Sequence, residues 1–267
     1  MIADLQGMQI AYDDKGNGLP ILFIHGFPLD RTLWTAQAAT ILKICRTISI
    51  DLRGHGESQA IPGPYTMKML AQDCNSLLNK LEITEPVILC GLSMGGYVTL
   101  EFYRQYPSRV AGLILAATRS GADSAEGRAN RDKAIFEARQ QGVISIVDSM
   151  LPKMLAQYTY KHRPELIRPL RAMMLRTSLD GAIGALEGMK NRSDSTPILT
   201  SIRIPTLILH GAEDQIIPIT VAKAMQTVIF DSTLRILPEA GHLLNLEQPD
   251  LFNQAILDFL ATSYHVR

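Results

Sequence analysis

Along the chain, short apolar, β-prone runs alternate with longer stretches of helical periodicity, the pattern of a mostly parallel sheet with helices on both faces. The runs predict strands at Gln9–Tyr12, Pro20–Ile24, Thr47–Ile50, Val87–Cys90, Gly112–Ala116, Thr206–Leu209 and Thr233–Ile236. D-D-K-G-N-G between the first two is rich in turn-forming residues and reads as a hairpin, so the expected order is a hairpin followed by β-α repeats. Helices are expected at Met67–Leu81 and Gly96–Gln105, the second ending before Pro107, which cannot continue it. From Arg119 to Thr200 no strand pattern occurs, and methionines (Met150, Met154, Met173, Met174, Met189) stand among helix formers and basic residues. The expected organisation is therefore an α/β core over residues 1–118 and 201–267, with a helical cap inserted at 119–200.

Composition narrows the partners. The chain has 267 residues, 46% of them apolar and 19% charged, with 26 basic and 26 acidic side chains in balance. That is material for a packed core, without the basic excess of a nucleic-acid binder or an anionic-membrane binder. A small molecule is the expected partner, and an oligomer of identical chains is compatible with the composition. The three cysteines, Cys45, Cys74 and Cys90, have neither C-x-x-C nor zinc spacing and read as reduced thiols of a cytoplasmic protein. The start, M-I-A-D-L-Q-G, lacks the basic and apolar regions of a signal peptide, and no apolar run is long enough to span a bilayer.

The candidate chemistry centres on C-G-L-S-M-G-G-Y-V. V-I-L-C supplies a strand, G-L-S-M-G a tight turn and the following residues a helix, which is the context that makes G-x-S-x-G a nucleophile elbow at Ser93. Gly91 and Gly95 would let strand and helix pass closely around a strained serine. Serine attacks only when a base takes its proton. Among six histidines, His242 lies on a glycine-bearing loop between the last strand and the C-terminal helix, at the sheet edge where Ser93 is expected. His210, directly before G-A-E-D, reads as structural. The carboxylate that orients the base is Asp214, in the order serine, acid, histidine, with Glu213 and Asp123 as alternatives. I-L-F-I-H-G-F-P turns sharply after a strand, so the backbone amides of Phe27 and Met94 can converge on a developing oxyanion. His25 has no accompanying carboxylate or cysteine cluster, so neither metal nor cofactor is implied.

H-G-F-P at 25–28, D-L-R-G-H-G-E-S at 51–58, G-L-S-M-G-G at 91–96, the G-A-E-D-Q-I-I-P loop and Gly241-His242 together resemble the α/β-hydrolase superfamily over nearly the whole chain. The resemblance implies its fold, and a structural rather than reactive role for Asp51, Arg53 and His55. Among its groups the chain is most similar to carboxylesterases, enol-lactone hydrolases and cofactor-free haloperoxidase-like perhydrolases. Serine at the elbow excludes the members that attack through aspartate. The implied activity is hydrolysis of small uncharged carboxylic esters through an acyl-enzyme. Lactone hydrolysis or perhydrolysis, the latter suggested by Pro28, are alternatives, and a ligand-binding receptor on the same fold is an alternative of another class. Phe27, Trp34 and Leu243 flank the site in sequence and are expected to line an apolar pocket, joined from the cap by Met150 and Met154, whose other reading is core packing.

Overall fold

The computed structural model describes residues 1–265. In chain order the elements are β1 (Ile2–Leu5), β2 (Met8–Lys15), β3 (Pro20–Ile24), α1 (Thr35–Ile41), β4 (Arg46–Ile50), α2 (Met67–Lys80), β5 (Val87–Leu92), α3 (Met94–Gln105) and β6 (Val110–Ala116). There follow α4 (Ala125–Gln141), α5 (Val143–Met154), α6 (Gln157–His162), α7 (Ile167–Met174), α8 (Leu179–Lys190) and α9 (Thr196–Leu199). The chain closes with β7 (Thr206–Gly211), α10 (Ile219–Val228), β8 (Ser232–Leu237), α11 (Leu244–Glu247) and α12 (Pro249–Tyr264).

The eight strands form one sheet in the order β1-β2-β4-β3-β5-β6-β7-β8, antiparallel at β1-β2 and β2-β4 and parallel from β4 onward. Interior strands β3, β5 and β7 are buried throughout, as parallel strands covered on both faces must be. Along β3, Ile21 and Phe23 enter the core beneath α1 and α12, while Leu22 and Ile24 enter the core beneath α2 and α3. No helix among the described residues is long and apolar enough to cross a membrane.

The expected hairpin is corrected. β2 and β3 are not neighbours: β4 lies between them, antiparallel to β2 and parallel to β3. The polar run Asp13-Asp14-Lys15, read as part of a turn, continues β2 against Ser49, Ile48 and Thr47. Arg46 of β4 grips Asp14 two-pronged through Nε and Nη2, at 2.9 and 2.7 Å, which fixes the pairing that local turn chemistry could not reveal. The real hairpin joins β1 to β2 through Gln6 and Gly7, both at positive φ (59° and 90°), the geometry of a tight two-residue turn.

Between β6 and β7 the described chain forms helices α4 to α9 joined by turns and adds no strand to the sheet. This insertion docks on the core through two backbone hydrogen bonds, Tyr65 N–H to Gly184 O at 2.8 Å and Leu243 N–H to Met154 O at 3.1 Å, and through a side-chain ion pair, Arg176–Asp30 at 2.6 Å.

Candidate active site

The turn from β5 to α3 holds Ser93 at φ 54°, ψ −112°, a conformation an L-residue occupies only under constraint, at a cost of about 1–3 kcal/mol. The constraint is visible. Ser93 donates its N–H to Ala116 O (2.9 Å), and its carbonyl accepts from Gly96 N–H (2.9 Å) and from the Thr118 hydroxyl (2.8 Å). A Cβ at Gly91 would overlap the Gly95 carbonyl, and one at Gly95 would overlap the Ile24 carbonyl of the neighbouring strand. Helix α3 begins two residues earlier than expected, with Ser93 at its N-cap position, yet the serine side chain caps nothing. Its hydroxyl is left to a cavity of about 290 Å³ that His242 also lines.

His242 Nδ1 lies 2.9 Å from Asp214 Oδ2, and the other carboxylate oxygen, Oδ1, accepts the N–H groups of Ile216 (2.8 Å) and Ile217 (3.0 Å). Burial pushes the Asp214 carboxyl up, but the facing histidine and those two amides outweigh it, so the group sits below the ordinary carboxylate range. An ionised Asp214 holds the proton of His242 on Nδ1 and leaves Nε2 as an acceptor. No direct hydrogen bond joins Ser93 to His242 in this structure. The alternative acids are placed elsewhere. Glu213 is exposed, and Asp123 is held by Arg131 (2.5 Å) and Arg192 (2.7 Å). His210 is buried and hydrogen-bonded to Ile217 O at 2.9 Å, with burial lowering its pKa.

Among the described residues, the N–H groups of Phe27 and Met94 find no protein acceptor; Met94 opens α3, where the first amides have no intrahelical partner. The loop that carries Phe27 is braced by His25. Its Nδ1–H donates to Gly26 O (2.8 Å), and Nε2 accepts Leu52 N–H (2.9 Å), so neither nitrogen is available to a metal. His55 packs 5.1 Å from it, ring centroid to ring centroid, and donates to Arg53 O at 3.0 Å. Asp51 accepts from the Arg31 guanidinium, Arg31 N–H (2.6 Å) and Glu57 N–H (2.9 Å), and Arg53 forms a two-pronged pair with Asp73 at 2.6 Å. The D-L-R-G-H-G-E-S segment is thus a hydrogen-bonded brace beneath the site.

Residues 20–249 match the family model described as the alpha/beta hydrolase fold. The chain belongs to that family. A thermophilic esterase from Thermogutta terrifontis has a solved structure that superposes with a TM-score of 0.95 at 42% identity, over 98% of this chain and 97% of the esterase. The 3-oxoadipate enol-lactonase 2 of Acinetobacter baylyi is 29% identical over 88% of this chain and 86% of its own length. A putative non-heme chloroperoxidase of Synechocystis is 29% identical over 95% of each chain.

Within this α/β-hydrolase the cavity walls correct the expected lining. Phe27, Tyr97, Met150, Leu186, Met189 and Ile216 supply its apolar part. Trp34, Met154 and Leu243 do not reach it: all three are fully buried in the core. Trp34 packs between Phe23 (5.2 Å) and Phe252 (6.0 Å), and Leu243 points away although its neighbour His242 faces the cavity. Proximity in sequence does not set the direction of a side chain. Charge corrects the expectation further. The expected pocket is apolar, yet Arg119 and Arg131 line the cavity together with Asp123 and Asn130.

Glu247 also escaped the sequence reading. It is buried, and its carboxylate accepts Gly241 N–H (2.8 Å), Ala156 N–H (2.7 Å) and the Thr159 hydroxyl (2.6 Å), tying the His242 loop to the insertion. Its only signal was an acid within the apolar run L-L-N-L-E, which is compatible with an exposed turn as well.

Proposed function

We propose that this α/β-hydrolase cleaves carboxylic esters through an acyl-enzyme. His242 Nε2 takes the proton of Ser93 Oγ, and Oγ attacks the ester carbonyl. The N–H groups of Phe27 and Met94 hold the resulting oxyanion, each such donor being worth about 3 kcal/mol of barrier. Collapse expels the alcohol, which leaves with the proton from His242. Water activated by the same nitrogen then releases the acid and frees Ser93. Asp214 keeps the imidazole in the required tautomer and stabilises its cationic form.

The observation that carries this reading is the 2.9 Å Asp214–His242 contact on the wall of the cavity into which the strained Ser93 opens. Lactone cleavage uses the same steps on a cyclic ester, and the enol-lactonase relative favours keeping it beside ester hydrolysis. Perhydrolysis would need a backbone carbonyl to accept from hydrogen peroxide. The Gly26 carbonyl already accepts twice, from Leu29 N–H and His25, whereas the Pro28 carbonyl accepts once, from the Thr177 hydroxyl at 3.2 Å, and keeps a second lone pair for that role.

Continuous product release from p-nitrophenyl acetate by the wild type is the test, and it separates an enzyme from a receptor. Ser93→Ala, His242→Ala and Asp214→Asn should each lower kcat by several orders of magnitude, and combining them should add little, because they serve one proton transfer. Near-full activity in any of the three would remove that residue from the assignment. Running the same chains on a lactone, and on the ester with added peroxide, ranks the three acyl-transfer outcomes.

A further inference from the structure

The cavity carries more positive than negative charge. Asp123, at its wall, is flanked by Arg131 and Arg192, and Arg192 also lies 4.2 Å over the Tyr97 ring. These two cations more than neutralise that carboxylate. Asp214, the neighbouring acid, is committed to His242. Arg119 then adds a third guanidinium with no carboxylate partner among the described residues. It is half-buried, donates Nη2–H to Ile216 O at 3.1 Å, and has a buried Nε without an acceptor. Arg131 uses Nε on Asp123, leaving both terminal amino groups free of protein acceptors among the described residues. A buried N–H donor without an acceptor, such as Arg119 Nε, costs free energy that a ligand oxygen would recover.

The position of Arg119 ties that charge to the reacting atoms. It follows Thr118, whose hydroxyl holds the Ser93 carbonyl, and it reaches the loop that presents Asp214. Donors with a planar fork, unsatisfied and beside a nucleophile, suit a carboxylate more than any neutral group. We propose that the cavity selects esters or lactones whose acyl part ends in a carboxylate, held by Arg119 with help from Arg131, while the apolar wall of Met150, Leu186 and Met189 takes the intervening methylenes. This replaces the uncharged substrate expected from sequence, and it rests on the acyl-transfer reading above.

Monoethyl glutarate and ethyl pentanoate, alike in acyl length and different in charge, provide the test, with acid release followed by chromatography. The wild type should show a kcat/KM at least about tenfold higher on the anionic ester. Arg119→Gln should lower that preference about tenfold or more, mainly through KM, and Arg119→Lys should keep part of it. Glutarate binding, measured by calorimetry on Ser93→Ala and on Ser93→Ala/Arg119→Gln, gives a readout independent of turnover and should weaken about tenfold in the double variant. Equal use of both esters by the wild type would overturn the proposal. So would an Arg119→Gln chain that loses the same factor on both esters and still binds glutarate normally, since Arg119 would then only brace Ile216. Glutarate binding that depends on Arg119 in a chain that hydrolyses neither ester would uphold the charge recognition and sink the hydrolase reading instead.

Discussion

At the residue scale, the chemistry was legible wherever backbone and side-chain demands coincide. Ser93 could be read because a tight strand-turn-helix needs glycine on both sides of it, and His242 because a glycine-bearing loop at that sheet edge leaves few other places for a base. Arg119 and Arg131 could not, since an arginine opening a polar helical stretch looks the same whether it faces solvent or a cavity. His25 and His55 lie between these cases: their motifs were visible, but their burial was not. Burial lowers His25 to about 4, and burial together with the neighbouring His25 lowers His55 to about 3, from an ordinary value of 6.5. Above pH 6.5 both are neutral whether folded or unfolded and contribute no pH dependence. As pH falls from 6.5 toward about 4, the unfolded chain takes up protons that the folded chain refuses, so stability should decline. Each histidine contributes about 1.4 kcal/mol per pH unit within that window. His55→Asn, whose amide can still donate to Arg53 O, should flatten the decline by about half that histidine pair's slope, read from urea unfolding across the window. An unchanged slope would show that His55 titrates normally.

At the element scale, the interior strands were legible because they are buried on both faces and so are apolar without interruption. β1 was not, being four residues long and half exposed at the sheet edge. Strand order was the larger omission. Turn residues between β2 and β3 show that the chain bends there, but only the Arg46–Asp14 pair and the parallel register of β3 with β4 show which strand lies alongside. Helix α5 contains a sharper test, because its two methionines, one turn apart, differ in burial. Met150 lines the cavity, whereas Met154 is fully buried against the His242 loop. Met154→Ala should cost about 2–5 kcal/mol of stability and lower activity on every ester alike. Met150→Ala, at a half-buried position packed against both halves of the core, should cost less stability than Met154→Ala and shift the preferred acyl length. Equal stability losses from both, with no change in preferred acyl length, would make Met150 a packing residue and remove it from substrate selection.

At the scale of the whole molecule, a balanced net charge conceals a local excess: the cationic cavity is closed by a helical insertion that Glu247, Arg176 and the backbone around Tyr65 fasten to the core. The sheet brings Ser93, from the β5 end, and Asp214 and His242, after β7 and β8, to one edge, although they are distant in sequence. If that convergence is for acyl transfer, the intermediate must form on one particular oxygen. The decisive measurement is acid-quenched peptide mass analysis within the first turnovers on p-nitrophenyl acetate. One acetyl group should appear on the peptide carrying Ser93 in the wild type and be absent in Ser93→Ala. Continuous ester hydrolysis with no acetyl group on that peptide, or undiminished turnover by Ser93→Ala, would contradict the account.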